Sequence, residues 1–139
     1  MNARVVVLSI VAITGLLGMS VPAAAAAPTT SAAGPAVVAT FATRGAQVWR
    51  ARLTESSAIA SARAQLAGTE QIPTFPFGLI VYGAADDNIG YSWHLDNVKM
   101  VQAAMEVCDG RPSDVEAHRV TSPFYCPWGT KVIALQDVL

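Results

Sequence analysis

Residues Tyr91 to Trp128, YSWHLDNVKMVQAAMEVCDGRPSDVEAHRVTSPFYCPW, contain both cysteines, both histidines and two of the three tryptophans of this 139-residue chain. The first part alternates. Tyr91, Trp93 and Leu95 fall on one face of an extended segment and Ser92, His94 and Asp96 on the other, because successive strand side chains point to opposite sides. After a turn at Asp96-Asn97, Val101, Ala103, Met105 and Val107 alternate with Gln102, Ala104 and Glu106, so a further strand is expected to deliver Cys108. Asp109-Gly110 marks a turn, and Ser113-x-x-Glu116 has capping-box spacing for a short helix over about 113–119.

Upstream of this stretch, a single basic residue, Arg4, precedes an apolar run from Val5 to Met19, followed by Pro22 and alanines 23–27. This is the pattern of a secretory signal, with cleavage expected after residue 26 at an A-x-A triplet. Val5 through Ala27 just reaches the roughly 20 residues of a membrane span, which leaves an uncleaved anchor as the alternative. With Arg4 on the cytoplasmic side, the remainder lies outside the membrane on either reading. Two cysteines in an exported chain are most simply a pair. A Cys108–Cys126 bond would close a loop of about 17 residues and stabilise by roughly 3 kcal/mol on the chain-entropy model. The competing use is a reactive thiol beside a histidine.

Residues 27–36 offer little to bury and read as a flexible mature N-terminus. From Val37 to Leu53 the pattern alternates in two pieces, two strands joined by a hairpin about Thr43-Arg44-Gly45, with Trp49 and Leu53 inward and Arg50 and Arg52 outward. Thr54 then suits an N-cap, Ile59, Ala62 and Leu66 recur at helical spacing, and Gly68 ends the run. Pro73 and Pro76 punctuate a loop before a strand at Phe77 to Gly83, and a last strand runs from about Gly129 to Leu135. The expected fold is one α+β domain over 37–139, with one antiparallel sheet of about five strands, one main helix at about 55–67 packed on it, and one disulfide.

Charge excludes several partners. Without Arg4 there are eight basic residues against ten acidic, a net charge of about −2, and no basic cluster suited to nucleic acid or anionic lipid. After signal cleavage no stable membrane association is expected. Asp86-Asp87-Asn88-Ile89-Gly90 does not place its ligands and glycine as a calcium-binding EF-hand loop requires. Ser92 lies near His94 without a nucleophile elbow, and there is no glycine-rich phosphate loop. His94 and Asp96 share a strand face, but spacing alone brings together only two ligands, so neither a metal nor a cofactor is expected.

Several spaced segments carry a family resemblance: Ile59 to Gly68 (IASARAQLAG), Gly78 to Val81, Tyr91 to Asp96, Glu106 to Glu116 (EVCDGRPSDVE) and Tyr125 to Trp128 (YCPW). In this order they resemble the family named after the N-terminal domain of a slime-mould calmodulin-binding protein, over about residues 37–135. The resemblance implies a small secreted or accessory domain without an assigned activity, and it implies the Cys108–Cys126 pair. Calmodulin binding is not expected to carry over, because the chain lacks a basic amphipathic helix.

The expected function is that of a secreted, non-enzymatic binding or accessory domain whose partner is an extracellular protein or carbohydrate. Candidate contact residues are Trp93, His94 and Asp96 on the alternating strand and Tyr125 and Trp128 beside the second cysteine, since rigid aromatics make good anchors. The alternatives are a secreted protease inhibitor presenting the loop from Arg119 to Cys126, and a small metal-dependent hydrolase using His94.

Overall fold

The computed structural model describes residues 34–138, so the expected signal segment 1–26 and residues 27–33 of the expected N-terminal tail lie outside the described residues. The first two strands are β1 (Ala36–Ala42) and β2 (Val48–Leu53), paired antiparallel as the alternation predicts. Their turn uses left-handed backbone at Gly45 (φ 83°) and Ala46 (φ 60°), and Thr43 N–H closes it on Gln47 O at 2.9 Å. Trp49 and Leu53 are buried and Arg50 and Arg52 exposed, as the period of two requires.

Helix α1 (Ser56–Ala67) buries Ala58, Ile59 and Ala62 and packs against the last strand, β6 (Lys131–Val138). It starts one residue later than expected, with Glu55 rather than Thr54 at the N-cap and no side-chain cap bond. Gly68 ends it in left-handed backbone (φ 70°), donating to the carbonyls of Ala64 and Gln65.

The expected single sheet of five strands is corrected to two antiparallel sheets of three, ordered β2-β1-β6 and β4-β3-β5. In the second, β3 is Phe75–Tyr82, β4 is Trp93–Val101 and β5 is Phe124–Tyr125. The fold is therefore mainly β, with two short helices rather than one dominant one. Long-range pairing explains part of the difference: β1 pairs with β6, Ala36 opposite Val138, a contact that no local pattern signals.

The expected turn at Asp96-Asn97 is a bulge inside a continuous β4. Asn97 takes left-handed backbone (φ 51°), and the register on β3 shifts between Phe77 and Leu79. The intervening Gly78 allows this approach, because a Cβ there would stand 3.1 Å from Leu95 Cβ and from the Asp96 carbonyl oxygen. The expected strand over 101–107 does not form. Val101 pairs with Phe75, the first residue of β3, so residues beyond it have no partner strand despite their alternation. The short helix, α2, is Pro112–Glu116 and not 113–119.

Inner faces of both sheets share one core. Phe41 and Trp49 from the first stack at 4.8 Å, and Trp49 meets Trp93 at 5.7 Å and Tyr125 at 5.4 Å from the second. Asn88, 1% exposed, joins the edges of the two sheets: its carboxamide accepts from Arg50 N–H on β2 at 2.9 Å and donates to the Trp93 carbonyl on β4 at 2.9 Å.

Candidate functional site

Cys108 and Cys126 are disulfide-bonded and buried, their Cα atoms 5.1 Å apart, and Cys126 N–H donates to Cys108 O at 2.8 Å. Two further bonds fix the segment after Cys108 to the one around Cys126. Trp128 N–H donates to Asp109 Oδ1 at 2.9 Å, and the Tyr125 hydroxyl donates to Gly110 O at 3.2 Å. Burial, with Asp109 adding to it, pushes the Tyr125 phenol far up, so it stays a neutral donor. The disulfide forms a small cluster with Phe75, flanked by Phe77, Val101, Ala104 and Phe124. Trp128 covers its edge, stacked on Phe75 at 5.5 Å yet 46% exposed. On the loop leading to Cys108, Met105 and Val107 are almost wholly exposed.

Beside Trp128 lies a depression of about 250 Å³ lined by Thr43, Arg44, Asp109, Gly110, Arg111 and Asp114. The β1–β2 hairpin is docked against α2 by Gln47, whose carboxamide donates to Ser113 Oγ and accepts from Ser113 N–H, both at 3.0 Å. Asp114 accepts from Arg111 N–H at 3.0 Å and from Arg119 Nη2 at 2.8 Å, contacts that hold its carboxyl below the usual range. Arg44 and Arg111 form no ion pair among the described residues.

The five residues singled out in the sequence do not converge. Trp93 and Tyr125 are wholly buried and meet edge-on at 5.5 Å in the core, where they support the fold beneath the surface. His94 and Asp96 do share the outer face of β4. With Arg52, Thr54, Asp86, Asp87 and Asn97 they line a second depression, of about 350 Å³. There His94 Nδ1 lies 3.0 Å from Gly83 O, and Arg52 Nε lies 3.6 Å from Asp87 Oδ2. Trp128 alone stands at the disulfide rim. Among the described residues no group of three His, Cys, Asp or Glu side chains is placed to hold a metal, and no helix is long and apolar enough to cross a membrane.

The loop from Arg119 to Cys126 is held along its length: Arg119 binds Asp114, Pro123 O accepts from Ile80 N–H at 2.8 Å, and Phe124 and Tyr125 pair with β3. Sequence reasoning missed Arg44, Arg111 and Phe75 as neighbours of Trp128. Arg44 and Arg111 each sit at a turn, and nothing local shows that Gln47 joins those turns.

Residues 35–138 match the model of the family described as the BP-74 N-terminal domain. No curated protein and no solved structure matches the chain. The match extends from just before β1 to the end of β6 and includes both cysteines. It is the family that the spaced motifs resemble, and the chain belongs to this family of a calmodulin-binding protein N-terminal domain.

Proposed function

We propose that this domain is exported and works without catalysis, binding a protein partner outside the cell through the rim around its disulfide. The observation that carries this reading is Trp128, half-exposed although its backbone is tied to Asp109 and its ring rests on Phe75. A large aromatic held in one place makes contact at little entropic cost, and tryptophan, arginine and methionine are the side chains that protein interfaces favour. The neighbouring loop adds Met105 and Val107, apolar groups presented to water. Their character favours a protein over a carbohydrate as partner. Export is supported by the signal-like N-terminal run and is compatible with the disulfide.

The test is capture from culture medium by the tagged mature domain with chemical cross-linking. Trp128→Ala and Met105→Asp are each expected to lower capture at least tenfold. Met105→Asp should leave the thermal midpoint unchanged, and Trp128→Ala should lower it by no more than roughly 5 °C, because the ring is half in water. Undiminished capture by both variants would overturn the reading.

A further inference from the structure

The pocket beside Trp128 has already used its acids and not its bases. Asp109 is occupied by Trp128 N–H, and Asp114 by Arg111 N–H and the Arg119 guanidinium. The guanidinium groups of Arg44 and Arg111, residues of the same lining, have no carboxylate within ion-pair distance among the described residues, although the charge of Arg111 helps to keep Asp114 ionised. Arg44 is also positioned by the backbone. A Cβ at Gly129 would stand 3.1 Å from its Nε and 3.3 Å from its Nη2, so the guanidinium lies across the residue that follows Trp128. Gly129 is required twice over, since its φ of 71° is in the left-handed region.

Size and charge narrow what this pocket takes. About 250 Å³ lies below the range of roughly 300–1,000 Å³ usual for whole small-molecule ligands, so it suits one side chain and not a cofactor. With Arg119 paired to Asp114, the three arginines Arg44, Arg111 and Arg119 outnumber Asp109 and Asp114 by one charge, a local balance that suits a single anion rather than a polyanion. A guanidinium pairs best with a planar carboxylate, through two parallel N–H donors. From this we infer that the Trp128 pocket seats the carboxylate of an acidic side chain on a peptide segment of the partner, between Arg44 and Arg111 and against the indole. The inference rests on the binding reading above and adds the partner's chemistry.

An array of short synthetic peptides tests it. Each peptide carries Asp or Glu beside Leu or Phe, each has its Asn or Gln isostere, and a glucuronate-bearing oligosaccharide is spotted alongside. The oxidised wild-type domain is expected to retain acidic peptides at least tenfold better than their isosteres. Arg44→Gln and Arg111→Gln should each erase about tenfold of that preference with an unchanged thermal midpoint, while Gly129→Ala should weaken it through displacement of Arg44. Equal retention of acidic peptides and isosteres, no retention of either, or retention of the oligosaccharide alone would each overturn the inference. The culture-medium capture separates the two proposals: a partner held equally by wild type and Arg44→Gln but lost by Trp128→Ala keeps the binding reading and removes the carboxylate.

Discussion

Asn88 shows how much one side chain contributes to this fold. β2 and β4 belong to different sheets, and the Asn88 carboxamide supplies an acceptor to one and a donor to the other. Asn88→Ala would leave the Arg50 N–H and the Trp93 carbonyl without these partners, at a cost of about 3 kcal/mol for the two. Chemical denaturation should show that loss with an unchanged m-value, and a loss below about 1 kcal/mol would mean that the sheets hold together without the bridge. None of this was legible in the sequence. Asp86-Asp87-Asn88 reads as a polar turn, and asparagine favours turns equally whether its amide meets water or two strands. Trp93 was legible in part. Alternation placed it on one face with Leu95 without saying which face was inward, and the expectation that Trp93 makes direct contacts is corrected by its burial beside Leu95.

At the scale of elements, boundaries set by special backbone residues were legible and those set by distant partners were not. Gly68 ends α1 and the Thr43-Arg44-Gly45 turn joins β1 to β2, both as expected. The alternation at 101–107 misled because amphipathic spacing is necessary for a strand but a neighbouring strand is what makes one. For α2 the capping pair was expected at Ser113 and Glu116. Instead Pro112 takes the first helical position, Asp114 accepts from Arg111 N–H, and Glu116 is released to accept from Ser92 N–H at 2.9 Å and Ser92 Oγ at 2.8 Å. The Ser92 backbone and hydroxyl bonds hold the Glu116 carboxyl below its ordinary value. Its folded pKa is therefore lower than its unfolded one, so its stabilisation is present at neutral pH and is lost as the pH falls through the folded value. The junction between α2 and the start of β4 should loosen as the pH falls below the ordinary glutamate range. The Ser92 amide shift should follow this titration, and Glu116→Gln should flatten the decline in stability between pH 5 and 3. A profile parallel to wild type would show that Asp114 or other acids govern it.

For the whole molecule, antiparallel strands, the helix ending at Gly68 and the disulfide were legible in the sequence, because period, turn residues and cysteine count bear directly on those features, whereas the expected α+β balance gave way to a mainly β fold. The division into two sheets depends on the pairing of β1 with β6, which acts over a long separation. The aromatic core and the disulfide cluster are likewise distinct, one formed between the sheets around Phe41, Trp49, Trp93 and Tyr125 and the other at the rim around Phe75. That separation predicts unequal consequences when the cross-link is removed. Cys108 and Cys126 lie 18 positions apart, so the double change Cys108→Ser and Cys126→Ser should cost roughly 3 kcal/mol. In a domain of this size that corresponds to a midpoint lower by about 10–20 °C. Below that midpoint, amide exchange should rise first at Asp109, Cys126 and Trp128 while β1 and β2 stay protected, since the core around Trp49 does not include the sulfurs. Capture through Trp128 should then fall before the fold does. Uniform acceleration of exchange across both sheets would instead show that the rim and the core unfold as one unit, and that the disulfide supports the whole molecule rather than the binding edge.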